Sequence, residues 1–199
     1  MSVRKKLLII AFVLLAVDQI VKILIKTSFT LGEALNVFDW FKLQFIENPG
    51  MAFGMKFGNG YGAKIFLSVF RLVAVFFIGW YINRLVSKKV QWGVLVCLTM
   101  IFCGALGNLI DSMFYGLIFN ESTPFRVAEF LPDEGGYAPF LCGKVVDMLY
   151  FPIIRTENFI FFRPIFNFAD SYITVGVVIL LLFYRKYISS STKNEQKHD

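Results

Sequence analysis

The chain has 199 residues, of which 57% are hydrophobic, 24 are Phe and only 17% are charged. That is more apolar side chain than a soluble core of this size can hide, so the composition excludes an ordinary water-soluble domain and reads as a membrane protein. The formal net charge of +6 does not point to nucleic acid, because the basic residues lie at the ends of apolar runs and form no basic patch interleaved with aromatics.

Four runs are long and apolar enough to cross: Leu7 to Ile25, Ile65 to Leu85, Val90 to Met113 and Phe168 to Tyr187. Each is close to the roughly 20 residues that span a ~30 Å hydrocarbon core at ~1.5 Å per residue. Arg4-Lys5-Lys6 before the first run resembles the start of a signal peptide. No small-x-small cleavage site follows, however, and the apolar face continues past Asp18 and Lys22, so the first run reads as a retained helix. Asp18 and Lys22 are spaced i, i+4, where opposite charges meet on a helix, and mutual neutralisation alone would account for them.

Between the first two runs, Leu35 to Ile46 is aromatic and β-branched with partial alternation, followed by Asn48-Pro-Gly-Met-Ala-Phe-Gly54. This pattern predicts a short strand on the membrane surface ending in a tight turn. The second run carries Arg71, a cation that needs a partner, and Asp111 at the end of the third run is the expected one. On the third run, Gly104 and Gly107 are spaced i, i+3, as are Asn108 and Asp111, which places small and polar residues on overlapping faces. Small residues admit a neighbouring helix, and the amide can bond across that contact or reach a substrate.

The stretch from Phe114 to Asn167 mixes Pro and Gly with many aromatics and reads as an ordered, membrane-hugging outer loop. The polar tail, 189–199, reads as disordered, leaving 1–188 as a single membrane-embedded domain. Cys97 and Cys103 lie about 9 Å apart along one helix, too far for a disulfide, and Cys142 stands alone. With His198 in the tail there is no metal-ligand pattern, so neither metal nor other cofactor is expected.

Basic residues set the orientation. Arg4, Lys5, Lys6, Arg84, Lys88, Lys89, Arg185, Lys186, Lys193 and Lys197 crowd short segments on one side. Lys42, Lys56, Lys64, Arg126, Lys144, Arg155 and Arg163 are spread over the two long segments on the other. The positive-inside rule places both termini in the cytoplasm and both long segments outside. The expected fold is an all-α integral membrane protein of four transmembrane helices, with a small β-containing extracytoplasmic platform and a long outer loop.

Two carboxylates stand where the bilayer disfavours them: Asp147 in Gly143-Lys-Val-Val-Asp147, and Asp170 in Phe166-Asn-Phe-Ala-Asp170 at the mouth of the last run. An ionisable group near the hydrocarbon costs several kcal/mol unless paired, hydrated or protonated, so it is a functional candidate by default. Two carboxyls at one boundary suit acid–base chemistry: at close range they share one proton, the ionised member acting as base and the other as acid. A solvated loop Asp147 and a helix-capping Asp170 is the simpler alternative.

Asp18 with Lys22, Asn48-Pro-Gly-Met-Ala-Phe53, Gly104-Ala-Leu-Gly-Asn-Leu-Ile-Asp111, Val145-Val-Asp147 and Phe166-Asn-Phe-Ala-Asp170 resemble, in order and helix position, the bacterial lipoprotein signal peptidases (signal peptidase II). The resemblance covers Leu7 to Tyr187. It implies an intramembrane aspartic endopeptidase of the cytoplasmic (inner) membrane, working near its outer face. Its substrates would be diacylglyceryl-modified prolipoproteins, cut just before the lipidated Cys, and globomycin-type cyclic peptides would inhibit it. Asp147 and Asp170 would be catalytic; Asn48, Gly50, Asn108 and Asn167 would bind substrate; and Asp18, Lys22 and Asp111 would support the site. Membrane lipid is the other expected partner, and a monomer the expected state.

One departure stands out. Many members of the family carry Arg after the Asn-x-x-Asp motif, whereas this chain has Ser112, and Lys144, Arg126 or Arg155 are candidates to replace that cation. Two other classes compete: a small proton-coupled transporter, which would more often show paired halves with interrupted helices, and an assembly protein, which would need neither Asp147 nor Asp170.

Overall fold

The computed structural model describes residues 1–49, 61–152, 154–156, 159–161 and 164–184. Gly50, the rest of its motif to Phe53, and the tail from 189 onward lie outside the described residues. Helix α1 spans Val3–Ser28, capped by the Ser2 hydroxyl accepting from the Lys5 amide. A hairpin of β1 (Ala34–Phe38) and β2 (Phe41–Asn48) follows, then α2 (Tyr61–Ser87) and α3 (Trp92–Ile110). Helix α3 runs on through a π-helical segment, Asp111–Tyr115, into a single turn, α4 (Gly116–Ile118). Strands β3 (Val145–Tyr150), β4 (Ile154–Thr156), β5 (Phe159–Phe161) and β6 (Ile165–Phe166) precede α5 (Phe168–Phe183).

Three helices are long and apolar enough to cross a membrane: Val3–Ser28, Gly62–Ser87 and Trp92–Ile118. The fourth expected span is apolar but shorter as described, Phe168–Phe183. This is a membrane protein in which three, rather than four, described helices meet the length of a full crossing.

The single strand expected within Leu35 to Ile46 is two strands, because the chain reverses at Asp39 and Trp40. They join a four-stranded antiparallel sheet in the order β1-β2-β3-β6, while β4 and β5 form a separate hairpin. The strand is easy to miss from alternation, since β2 is half-buried along nearly its whole length. Rings of Phe38, Trp40, Phe41, Phe151 and Phe166 stack in series on this sheet, with centroids 4.9 to 6.1 Å apart. Below it, Phe45, Tyr115, Phe119, Val146 and Met148 form a buried cluster with Ile25 of α1.

Helices α3 and α5 approach so closely that a Cβ on Gly104 would lie 2.2 Å from the Ala169 carbonyl oxygen. One on Gly107 would lie 2.5 Å from Asp18 Oδ2. The glycines of the third run are therefore interhelical contacts, as small residues in membrane bundles commonly are.

Candidate active site

The site forms where the C-terminal parts of α1 and α3 and the first turn of α5 meet β3. Asp147 is carried by β3 opposite Ile46 of β2 and is 2% exposed. It is thus an inner sheet residue, not a solvated loop carboxylate. Asp170 is the N3 residue of α5, and Asn167 is its N-cap. The Asn167 side chain accepts from the Asp170 amide at 2.9 Å, and the Asp170 carboxylate accepts from the Asn167 amide at 3.4 Å. Such a capping box fixes the start of a helix, so here the capping alternative and the close placement of Asp170 hold together.

Asn167 also joins the two carboxyls. Its Nδ2 donates to Asp147 Oδ1 at 2.6 Å and to Asn108 Oδ1 at 3.1 Å. Asn108 Nδ2 in turn donates to Asp170 Oδ1 at 2.8 Å. The Asn48 side chain is a further hydrogen-bond partner of Asp147. Burial, with the nearby Asp170 charge adding to it, raises Asp147 to about 7, against the hydrogen bonds of Asn48 and Asn167 and the charge of Lys22. A carboxyl that changes charge near neutrality, beside a second one, is an arrangement suited to proton transfer.

Behind the pair lies a charged support. Lys22 Nζ is fully buried and meets Asp18 at 3.0 Å, Asp111 at 2.9 Å and Asn108 Oδ1 at 2.9 Å. An ammonium has three protons, and these contacts use all of them. The i, i+4 pairing of Asp18 with Lys22 is present, but Asp111 completes it. Asp18 also accepts from the Ala169 amide at 2.9 Å, tying α1 to the first turn of α5. Asp111 accepts from the Val146 amide at 3.3 Å, tying the π segment to β3.

The expected pairing of Arg71 with Asp111 does not occur. Asp111 is taken by Lys22, and Arg71 Nη1 donates to Ser112 Oγ at 2.9 Å. Of the cations considered as replacements beside Ser112, Arg126 pairs with Glu129 on an exposed surface and Lys144 pairs with Glu47. The Arg155 side chain lies outside the described residues.

Sequence reading missed Gln19 and Tyr115. Gln19 Nε2 bonds Asp18, Asp111 and the Gly107 carbonyl, and its Oε1 accepts from the Tyr115 hydroxyl. An amide adjoining a buried Asp was the available signal. Also missed was Lys26, fully buried against Glu47 and Ser122, although it continues the i, i+4 series from Asp18 and Lys22. Among the described residues, no group of three or more His, Cys, Asp or Glu is placed to hold a metal ion.

The sequence model of the family described as signal peptidase (SPase) II matches residues 10–185. A lipoprotein signal peptidase of Porphyromonas gingivalis is 44% identical over 188 residues, covering 88% of this chain and 81% of that protein. One from Amoebophilus asiaticus is 33% identical, covering 90% and 77%. A solved bacterial membrane enzyme superposes with a TM-score of 0.63 at 23% identity, over 94% of this chain and 91% of that one, a likeness of fold. The protein is a membrane-embedded peptidase by this kinship. The chain belongs to the signal peptidase II family.

Proposed function

We propose that this chain is an intramembrane aspartic endopeptidase that removes signal peptides from diacylglyceryl-modified prolipoproteins, cutting before the lipidated Cys. The observation that carries the reading is the bridge Asp147–Asn167–Asn108–Asp170, which holds a buried and a half-buried carboxyl in one hydrogen-bonded network. Asp147, raised to about 7, still carries a proton in a large share of molecules at neutral pH. Asp170 then takes a proton from water as the hydroxyl attacks the scissile carbonyl, while Asp147 donates a hydrogen bond to the carbonyl oxygen. The tetrahedral intermediate collapses as a proton passes to the leaving amine, and the pair regains its starting state.

The amides of Asn108 and Asn167 are committed to the carboxyls and to Lys22, so they act on the substrate by aiming the acid and the base. Asn48, which bonds Asp147, binds the peptide together with Gly50 of the same motif. Asp18, Lys22 and Asp111 hold α1, α3 and α5 together beside the site. Lipid anchoring supplies much of the selection, since each buried CH₂ of an acyl chain contributes about 0.8 kcal/mol.

We further infer that α5 is a fourth crossing, that both termini are cytoplasmic, and that the site faces the outer side of the inner membrane. The enzyme acts as a monomer and takes globomycin-type cyclic peptides in the same site.

The test is cleavage of a diacylglyceryl-modified prolipoprotein peptide in detergent. Asp147→Asn and Asp170→Asn should each lower turnover by orders of magnitude while the protein stays folded. Near-normal turnover by either would sink the aspartic mechanism. Reporters fused at Gly135 and Ser189 should score outside and inside, respectively.

A further inference from the structure

Lys64, Ser68 and Arg71 follow one another at i, i+4 and i+7, a spacing that forms a stripe on one face of α2. Lys64 Nζ donates to the Cys142 carbonyl and Ser68 Oγ to the Leu141 carbonyl, so this face meets the chain just before β3. Arg71 is the innermost member, and its hydrogen bond goes to a neutral hydroxyl, Ser112. No carboxylate lies within ion-pair distance of it among the described residues. A guanidinium within a membrane-spanning segment calls for a functional account.

Its electrostatic surroundings provide one. The charges acting on Arg71 are Asp170 first, then Asp111 and Asp147. The contact with Ser112 also leads to the site by bonds: Ser112 Oγ donates to the Asn108 carbonyl, and Asn108 Nδ2 donates to Asp170. Ser112 lies in the π-helical segment, a distortion often found at functional sites. The charged groups around the pair are Lys22 from α1, which acts on Asp147 and is paired with Asp18 and Asp111, and Arg71 from α2, on which both Asp170 and Asp147 act. Four carboxyls, Asp18, Asp111, Asp147 and Asp170, thus share two cations. Lys22 is saturated by its three contacts.

We propose that Arg71 is a positioning residue of the active site: tethered by Ser112, its guanidinium supplies the second positive charge that holds the Asp147–Asp170 pair in its singly protonated, working state. This rests on the aspartic reading above. Losing a cation beside two carboxyls makes the pair take up protons more readily, so its pH–rate bell moves upward.

Arg71→Met is expected to lower kcat roughly tenfold or more with KM little changed, and to displace the bell by about one pH unit to higher pH. Arg71→Lys, which keeps the charge, should return the bell to its original position. Ser112→Ala should lower kcat less than Arg71→Met and leave the bell in place. Asp147→Asn and Asp170→Asn are assayed in parallel on the same lipidated peptide. If both are inactive and Arg71→Met retains the wild-type bell and kcat, the inference fails while the aspartic reading stands. If either Asn variant cleaves normally, the aspartic reading fails and takes this inference with it. Should Arg71→Met not fold in detergent, Arg71→Gln carries the same test, and an unmoved bell in that variant is equally decisive against it.

Discussion

Lys22 and Lys26 lie one turn apart on α1, both fully buried, yet their surroundings assign them opposite tasks. Lys22 faces two carboxylates and spends its third proton on Asn108 Oδ1. That contact fixes which way the Asn108 amide turns, its oxygen toward Lys22 and its NH₂ toward Asp170. Lys26 shares one carboxylate, Glu47, with Lys144, and donates to Ser122 at 2.8 Å. Around it stand the rings of Phe45, Phe119 and Tyr137, 5.1 to 5.9 Å from the ammonium. The first cluster has excess negative charge and reaches, through Asn108, the Asp170 carboxylate of the proposed mechanism. The second sets two ammonium groups on one buried carboxylate and clamps β2 and the long segment before β3 onto α1. Residue type and burial alike fail to separate the two clusters; the balance of buried charge and the destination of the last proton do.

The strongest test of this contrast is Lys22→Met. It leaves Asp18 and Asp111 buried together without a cation, a loss of about 3–5 kcal/mol for breaking a buried pair, and releases Asn108 to rotate. Cleavage should fall by more than two orders of magnitude, with thermal stability in detergent clearly reduced. Lys26→Met should reduce stability as well, but by less, because Lys144 still neutralises Glu47. The rate of the folded fraction should stay within a few-fold of wild type. An equal loss of rate in both variants, measured per folded molecule, would erase the distinction between the two clusters.

The clusters should also diverge with pH. Asp147 is raised to about 7, so in the folded protein it binds its proton more tightly than in the unfolded chain. Its contribution to stability is complete below about pH 4 and is lost as the pH climbs to about 7. Glu47 has the opposite sign. Burial would raise it, but Lys26 and Lys144 outweigh burial and leave it lowered. Its contribution is complete above about pH 4 and lost as the pH falls further. Asp147→Asn should therefore flatten the decline in melting temperature between pH 4 and 7, and Glu47→Gln should flatten only the acid end. A Glu47→Gln curve that loses its slope between pH 5 and 7 would contradict this assignment.

Much of this was legible in the chain because it is written in local spacing. Asp18 with Lys22 is an i, i+4 pair, Asn167 with Asp170 is a cap with its N3 partner, and the glycines at 104 and 107 mark a close helix contact. What could not be read depends on which elements meet. Arg71 had Asp111 as its plausible partner in sequence, but Lys22 from another helix takes that carboxylate, leaving Ser112. The placement of Asp147 on an inner strand follows from its pairing with β2, a hundred residues earlier in the chain. The Lys26 cluster was missed for the same reason, since Glu47, Ser122 and Lys144 come from three separated segments.

The smallest effect expected lies at the rim of the second cluster. Lys144 meets Glu47 at 2.9 Å and Glu121 at 3.5 Å, but Glu121 is 67% exposed whereas Glu47 is nearly fully buried. Water screens the outer contact, and holding two long side chains together offsets much of the remaining attraction. Glu121→Gln should therefore change stability by less than about 0.5 kcal/mol and leave cleavage unaltered. Glu47→Gln removes the carboxylate shared by two buried or half-buried ammonium groups and should cost several times more. In a double-mutant cycle with Lys144→Met, Glu47 should show clear coupling and Glu121 nearly none. Comparable coupling energies would mean that the long segment before β3 is held by its surface charges, and that the buried Lys26 cluster is not the clamp that fixes it.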